Sequence, residues 1–333
     1  MRIAILRWGS GSGLASPRDE ARAIVGFRAA RGEQRSMRAV FAQIASISTL
    51  VFAVSSMLSV GLAYRIGQIL RPLADSRAVF RVVVANFVLV PLLAVGIERV
   101  IPMEPALALG FFLLAGSAGA PFLIKLASAA RSDLALSAAL LMILVPGTVF
   151  FLPFYLPIAL AHPSLRDLAY ARSSVFSIGV PLISTLIAPV LVGLALQAIA
   201  PRWAARLAPI GSQLALIALV VLAVSTFGAN RNELMSLVKT GVIVAGILLI
   251  FGAFAVGYLL ARRERSAVLG LGTAQRNVAA AMVVASQDFT NTATLVMVTA
   301  CALCGLIVLF PIAWLLSKRA PKIGLPTLRT PSA

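Results

Sequence analysis

Nine apolar runs long enough to cross a bilayer follow one another along the chain, roughly at 39–64, 78–100, 105–128, 134–160, 174–199, 205–227, 237–261, 267–287 and 293–316. About 20 residues at a rise of ~1.5 Å per residue cover the ~30 Å hydrocarbon core, so each run predicts a membrane-spanning helix. The pattern therefore predicts an all-α polytopic membrane protein with nine transmembrane helices. Two of the runs are interrupted in the middle. Run three holds Gly116-Ser117-Ala118-Gly119-Ala120-Pro121, and run eight holds Gly272-Thr273-Ala274-Gln275-Arg276-Asn277. Gly116 and Gly119 permit non-helical backbone angles, and Pro121 lacks an N–H and suits the first turn of a new half-helix. A broken backbone leaves polar groups that lipid cannot satisfy, so each break must be buried in protein or line a wet cavity.

The layout repeats. Runs one to four recur as runs six to nine at an offset of about 160 residues, with the odd fifth run placing the two copies in opposite orientation. The copies occupy about 39–160 and 205–316 of a transporter domain at 37–319. Inverted repeats with a broken helix in the same place of each half mark the binding site of secondary transporters. The two broken helices are expected to cross near the midplane. Gly116, Ala118, Gly119 and Pro121 of one would meet Gly272 and Ala274 of the other, with Ala118 close to Ala274.

Composition agrees with lipid burial: 60% of residues are apolar, 12% are charged and mean hydropathy is +0.98. The net charge of +18 does not form basic runs interleaved with aromatics, so no nucleic-acid partner is expected. Basic residues gather in alternate loops: Arg65, Arg71 and Arg77 after run one, Lys125 and Arg131 after run three, Arg262, Arg263 and Arg265 after run seven. The positive-inside rule then places the C-terminus, with a tail at 320–333, in the cytoplasm and Met37 outside. Residues 1–36 carry seven arginines and conflict with that placement. They are expected to be a disordered basic tail, and Met37 is an alternative start of translation.

The polar residues of the two breaks are the candidates for chemistry. An arginine at bilayer depth costs at least ~2.5 kcal/mol on insertion scales. Arg276 is therefore expected either to satisfy carbonyls of its own break or to bind an anion beside a half-helix N-terminus. Gln275, Asn277, Thr273 and Ser117 are its expected polar partners, and Lys125 is either a second cation or a lysine reaching for the interface. Cys301 and Cys304 form a C-x-x-C inside the last apolar run, away from the exposed positions that redox motifs need. One histidine, His162, leaves no zinc-protease motif and no Ser-His-Asp triad.

Four pieces in order carry a family resemblance. They are Ser59-Val-Gly-Leu62, then Gly116-Ser-Ala-Gly-Ala-Pro-Phe122 followed by Asp133-Leu-Ala-Leu-Ser137, then Ala188-Pro-Val-Leu-Val-Gly193, and finally Gly272-Thr-Ala-Gln-Arg-Asn-Val-Ala-Ala-Ala281 with Asp288-Phe289. From Met37 to about Arg319 the chain resembles the bile acid:sodium symporter family. The resemblance implies a core domain, a panel domain and two helices crossing at their broken centres. It also implies sodium-coupled uptake of organic anions. The family's glutamate and glutamine for sodium fall here at Gly270 and Ala274, and its Ser-Asn after the first break at about Leu123-Ile124. Ser137 alone keeps a hydroxyl as a remnant of a sodium site. No cysteine lies near the first break, unlike in arsenite-exporting relatives.

Together these readings predict a secondary transporter of the bacterial inner membrane, moving a small organic anion by alternating access without a resident cofactor. Fixed positive charge at Arg276 would replace sodium and serve as the main anchor of the anion. The alternatives are a channel, which would want rings of polar residues from an oligomer, and an intramembrane enzyme, which would want paired carboxylates or histidines within the spans.

Overall fold

The computed structural model describes residues 17–67, 75–165, 175–230, 235, 237, 240–288 and 292–319. Every regular element among them is helical. Helix α1 covers Pro17–Ala63. Helix α2 (Ser76–Val84) runs through a π-helical turn, Ala85–Leu89, into α3 (Val90–Val100). The run at 105–128 becomes α4 (Pro105–Gly116) and α5 (Leu123–Ala129), and α6 covers Leu134–Leu160. Helix α7 (Val175–Leu182) passes through a second π turn, Ile183–Ile187, into α8 (Ala188–Ile199). Then come α9 (Pro201–Ala229), α10 (Val242–Leu260), α11 (Ser266–Ala274), α12 (Val278–Asp288) and α13 (Thr292–Arg319).

Eight helical segments among the described residues are long and apolar enough to cross a membrane, while α4 is apolar but shorter. The chain is therefore an all-α polytopic membrane protein, with run three divided into two short helices rather than forming one long one. Residues 17–36 differ from expectation. They extend α1 instead of lying in a disordered tail. The local sequence accounts for this: proline suits a first helical position, and Ala, Arg, Glu and Gln are good helix formers. Residues 1–16 and 320–333 lie outside the described residues.

Both π turns have the same local cause. Each ends two residues before a proline, Pro91 in one case and Pro189 in the other. A proline has no N–H to give and its ring presses on the carbonyl four residues back, so the helix widens by one residue instead of kinking.

Lipid acts as the solvent for the outer faces. Phe150, Phe154 and Ile158 on α6, and Ile210, Ile217 and Val224 on α9, stand exposed at helical spacing. The inside is arranged around run eight. The span Arg263–Ser286 is 94% buried over its apolar window, against 28% for Pro201–Ala229, so the broken helix is central and α9 is peripheral. Helices α1, α8 and α9 pack on one another as a panel, and the remaining helices form the core around α11 and α12. Thr294 ties α13 to α4 by donating to the Ala106 carbonyl at 2.9 Å. Asp75 caps α2, accepting from the Ala78 N–H at 3.1 Å, and takes the Arg265 guanidinium at 2.7 Å. The Ala78 N–H first, and then Arg265, hold its carboxyl below the usual carboxylate range.

Within the panel, α1 and α8 touch backbone to backbone. A Cβ on Gly61 would collide with the Val190 carbonyl, and one on Gly193 would lie 2.6 Å from the Leu58 carbonyl. Small residues let membrane helices approach this closely. Gly61→Ala is expected to destabilise by ~1–3 kcal/mol, the usual range for overpacking. The measurement is the thermal midpoint in detergent. Gly96→Ala, whose Cβ would have nothing within 4 Å, serves as the control and should change little.

Candidate functional site

The two breaks meet and bond to each other. Helix α4 stops at Gly116, and residues 117–120 are non-helical before α5 begins at Leu123. Gly119 is required twice over. Its φ is +80°, and a Cβ there would lie 2.8 Å from Leu144 Cβ and the Val145 nitrogen. Helix α11 stops at Ala274, and α12 restarts at Val278. The side chain of Asn277 caps α12 by accepting from the Ala280 N–H at 3.1 Å.

Asn277 makes the crossing. Its backbone N–H donates to the Ser117 carbonyl at 2.9 Å, and its Nδ2 donates to the Gly119 carbonyl at 3.0 Å. Thr148 on α6 serves the residue between them. Its hydroxyl accepts from the Ala118 N–H at 2.8 Å and donates to the Ala118 carbonyl at 2.9 Å. The carbonyls of Ser117, Ala118 and Gly119 in the first break are thus all partnered, one by a backbone N–H and two by side chains, as a dry environment demands. Ala118 and Ala274 are both buried at the crossing, while the bonds that join the breaks run through Asn277.

Arg276 is only 4% exposed and its donors face backbone oxygens. Nε donates to the Leu114 carbonyl at 3.2 Å, Nη2 to the Ala115 carbonyl, and Nη1 to the Thr273 carbonyl at 3.1 Å. Nη1 also donates to Asn86 Oδ1 at 2.9 Å. The guanidinium therefore joins the C-terminal ends of α4 and α11, where unpaired carbonyls and the negative ends of two half-helix dipoles come together. Asn86 sits in the first π turn and is fully buried. Its Nδ2 donates to Thr273 Oγ1 at 3.3 Å, so α2, α11 and Arg276 form one network.

The remaining expected residues separate. Thr273, Gln275, Asn277 and Ser117 gather at the crossing with Arg276, and Gly116, Gly272 and Pro121 flank it. Ser117 turns its hydroxyl back to the Leu113 carbonyl at 2.7 Å. Gln275 is buried with its Oε1 unpartnered, and it faces a gap of about 10 Å³ beside Phe52 and Leu219. Lys125 stands apart on α5, half-buried, in a cavity of about 220 Å³ between core and panel. Ser56 of α1, Tyr64 just past its end and Ser212 of α9 share that cavity. The Lys125 ammonium lies 5.1 Å from the Phe122 ring centre. Ser137 lies fully buried at the start of α6, donating to the Asp133 carbonyl at 2.8 Å.

A second cavity, of about 230 Å³, opens between the same panel helices and α12, lined by Ser46, Thr49, Ser225, Thr226 and Ser286. Along α1 and α9 the order is one cavity, then Phe52 and Leu219, then the other. The hydroxyls of α1 and α9 form a stripe at helical spacing, a signal present in the sequence that the emphasis on the two breaks passed over. Thr148 had no such signal, because a lone threonine in an apolar run looks like any interior residue.

Among curated proteins no sequence matches the chain. The second break lies beyond the range that a family comparison covers, and the first lies within it. A family model described as the sodium bile acid symporter family matches residues 50–237, more than half of the 333 residues, and the chain belongs to that family.

Proposed function

We propose that the chain is a secondary transporter that carries a small organic anion across the bacterial inner membrane by alternating access. Family membership supports transport rather than catalysis. The observation that carries the reading is the pair of crossed, mutually bonded broken helices standing between two cavities. The gap between those cavities, about 10 Å³, has room for about one water and none for an organic solute. A solute therefore passes only if the core shifts against the panel of α1, α8 and α9. That motion would open one cavity as the other closes, over the domain 37–319 with its C-terminal tail in the cytoplasm. The anion would rest in the cavity that holds Lys125, with Ser56, Ser212 and Tyr64 supplying hydroxyls.

The test uses α9, which lines both cavities. Ser212→Cys and Thr226→Cys are made separately after Cys301 and Cys304 are replaced by alanine. A membrane-impermeant thiol reagent is then applied to each side of proteoliposomes. Ser212→Cys should react from one side and Thr226→Cys from the other. Addition of a transported anion should change the two rates in opposite directions. Simultaneous reaction of both positions, with unsaturable conductance, would replace the carrier by a pore.

A further inference from the structure

We infer that Arg276 is the permanent cation of the crossover, standing where a sodium-coupled carrier would gather oxygens around a bound ion, and that the chain moves its solute without binding sodium there. The inference rests on the proposed transport reading for its flux arm alone.

The family's description names sodium, so the residues present have to be tested against it. A hard cation wants several oxygens converging on one point. Such a set exists at the crossing: the carbonyls of Leu114 and Ala115 at the end of α4, the Thr273 carbonyl at the end of α11, and Asn86 Oδ1. All four point at a charge, but the charge is the guanidinium. An ion sharing those oxygens would sit against a like charge within hydrogen-bond distance of the same atoms. Among the described residues no carboxylate bonds to the guanidinium or to those oxygens. Glu98, the buried carboxylate, lies at the far end of α3 beside His162 at 3.7 Å, and Asp133 caps α6. Among the described residues no group of three or more His, Cys, Asp and Glu side chains could hold a metal ion. Ser137, at the start of α6, donates its hydroxyl proton to the Asp133 carbonyl at 2.8 Å and shares no hydrogen bond with the four oxygens around the guanidinium. The donor set therefore fits an arginine and does not fit sodium.

The difference has a mechanistic consequence. A bound ion enters and leaves once per cycle, and its departure loosens the crossing. A guanidinium is tethered and keeps its charge. The two half-helix C-termini are held together in every state of the cycle, and binding of an ion has no part in closing them. The solute gradient itself, or exchange against a second anion, then drives transport.

The experiment uses the full chain purified in detergent and reconstituted in proteoliposomes. Thermal unfolding is followed in sodium chloride and in choline chloride at equal ionic strength, alongside binding of radiolabelled sodium. The wild type should show no sodium-specific rise in midpoint and no saturable sodium binding. A saturable rise, or saturable binding at the crossover, would overturn the inference. Arg276→Ala vacates the four oxygens, so this variant should gain a sodium-specific stabilisation that the wild type lacks. A folded Arg276→Ala protein indifferent to sodium would also overturn the inference, because the oxygens would then not form a cation set. If the variant does not fold, the wild-type measurements decide. The flux arm separates this inference from the transport reading. Saturable anion flux stimulated severalfold by sodium would sink the inference and leave the carrier. Absence of any saturable flux in a protein that binds no sodium would sink the carrier and leave Arg276 as the crossover's cation.

Discussion

Arg276→Ala is expected to destabilise the protein by ~2–5 kcal/mol, a large part of the stability of an ordinary domain. The residue makes four hydrogen bonds to buried oxygens. Hydrogen bonds between membrane helices average only ~0.6 kcal/mol each, which for four gives a floor near 2.4 kcal/mol. Charged donors contribute more, about 1.5–3 kcal/mol each, and a buried acceptor left without a partner costs ~1–3 kcal/mol. Three of these oxygens are carbonyls at helix C-termini, so loss of the positive charge leaves two half-helix dipoles facing each other unopposed. Arg276→Lys should recover only part of the loss. An ammonium has three donors on a point charge, and it cannot span carbonyls of two helices and an amide as a planar fork can. Asn86→Ala removes one acceptor of the guanidinium and the Nδ2 donations to the Val82 carbonyl and Thr273 Oγ1, but leaves the other three acceptors in place, so it should cost ~1.5–3 kcal/mol. The measurement is unfolding of the purified variants in detergent. A loss under 1 kcal/mol in Arg276→Ala would show that water reaches these carbonyls and that the arginine is free for another task.

That assignment changes what the sequence suggested for Arg276. The depth of the residue and the break around it were legible, because an arginine inside an apolar run has few explanations. Both of its expected tasks, satisfying carbonyls and binding an anion, were open from the sequence. The choice depended on where α4 ends relative to α11, a contact between residues about 160 positions apart that no local pattern contains. Asn277 was readable as polar, and its place as the residue that joins the two breaks was not. The crossing itself was legible for the opposite reason. Pro121 opposes a continuous helix by its missing N–H and its ring, Gly116 and Gly119 permit the non-helical backbone before it, and the matching break at Gly272–Asn277 follows from the repeat. The start of α1 was misjudged because residues 17–36 are polar enough to resemble a tail. Their alanine, arginine and glutamate content favours a helix all the same.

With the guanidinium committed to carbonyls, the charge left to meet an anion is Lys125. Among the described residues it is the only charged side chain on the wall of the 220 Å³ cavity, and it forms no ion pair with any of them. Its ammonium rests near the Phe122 ring, a placement that keeps the cation while leaving its donors available. A carboxylate at Lys125 would place an apolar body against Val60, Ala63, Pro209 and Ala215. A charge-assisted hydrogen bond is worth ~1.5–3 kcal/mol, and each 1.4 kcal/mol is about tenfold in affinity. Lys125→Ala should therefore weaken binding of a small carboxylate about 10- to 100-fold by calorimetry. Lys125→Arg should retain most of the affinity, since the site asks for charge rather than for one donor geometry. Lys125→Glu should abolish carboxylate binding through repulsion. None of these variants should shift the unfolding midpoint by more than a degree or two, because the residue is half-exposed and holds no helix end. This pairing distinguishes the two cations: Arg276 variants lose stability, and Lys125 variants lose affinity while keeping the fold. Unchanged carboxylate affinity in Lys125→Ala would remove the lysine from the binding site and leave the hydroxyls of Ser56, Tyr64 and Ser212 to hold an uncharged solute.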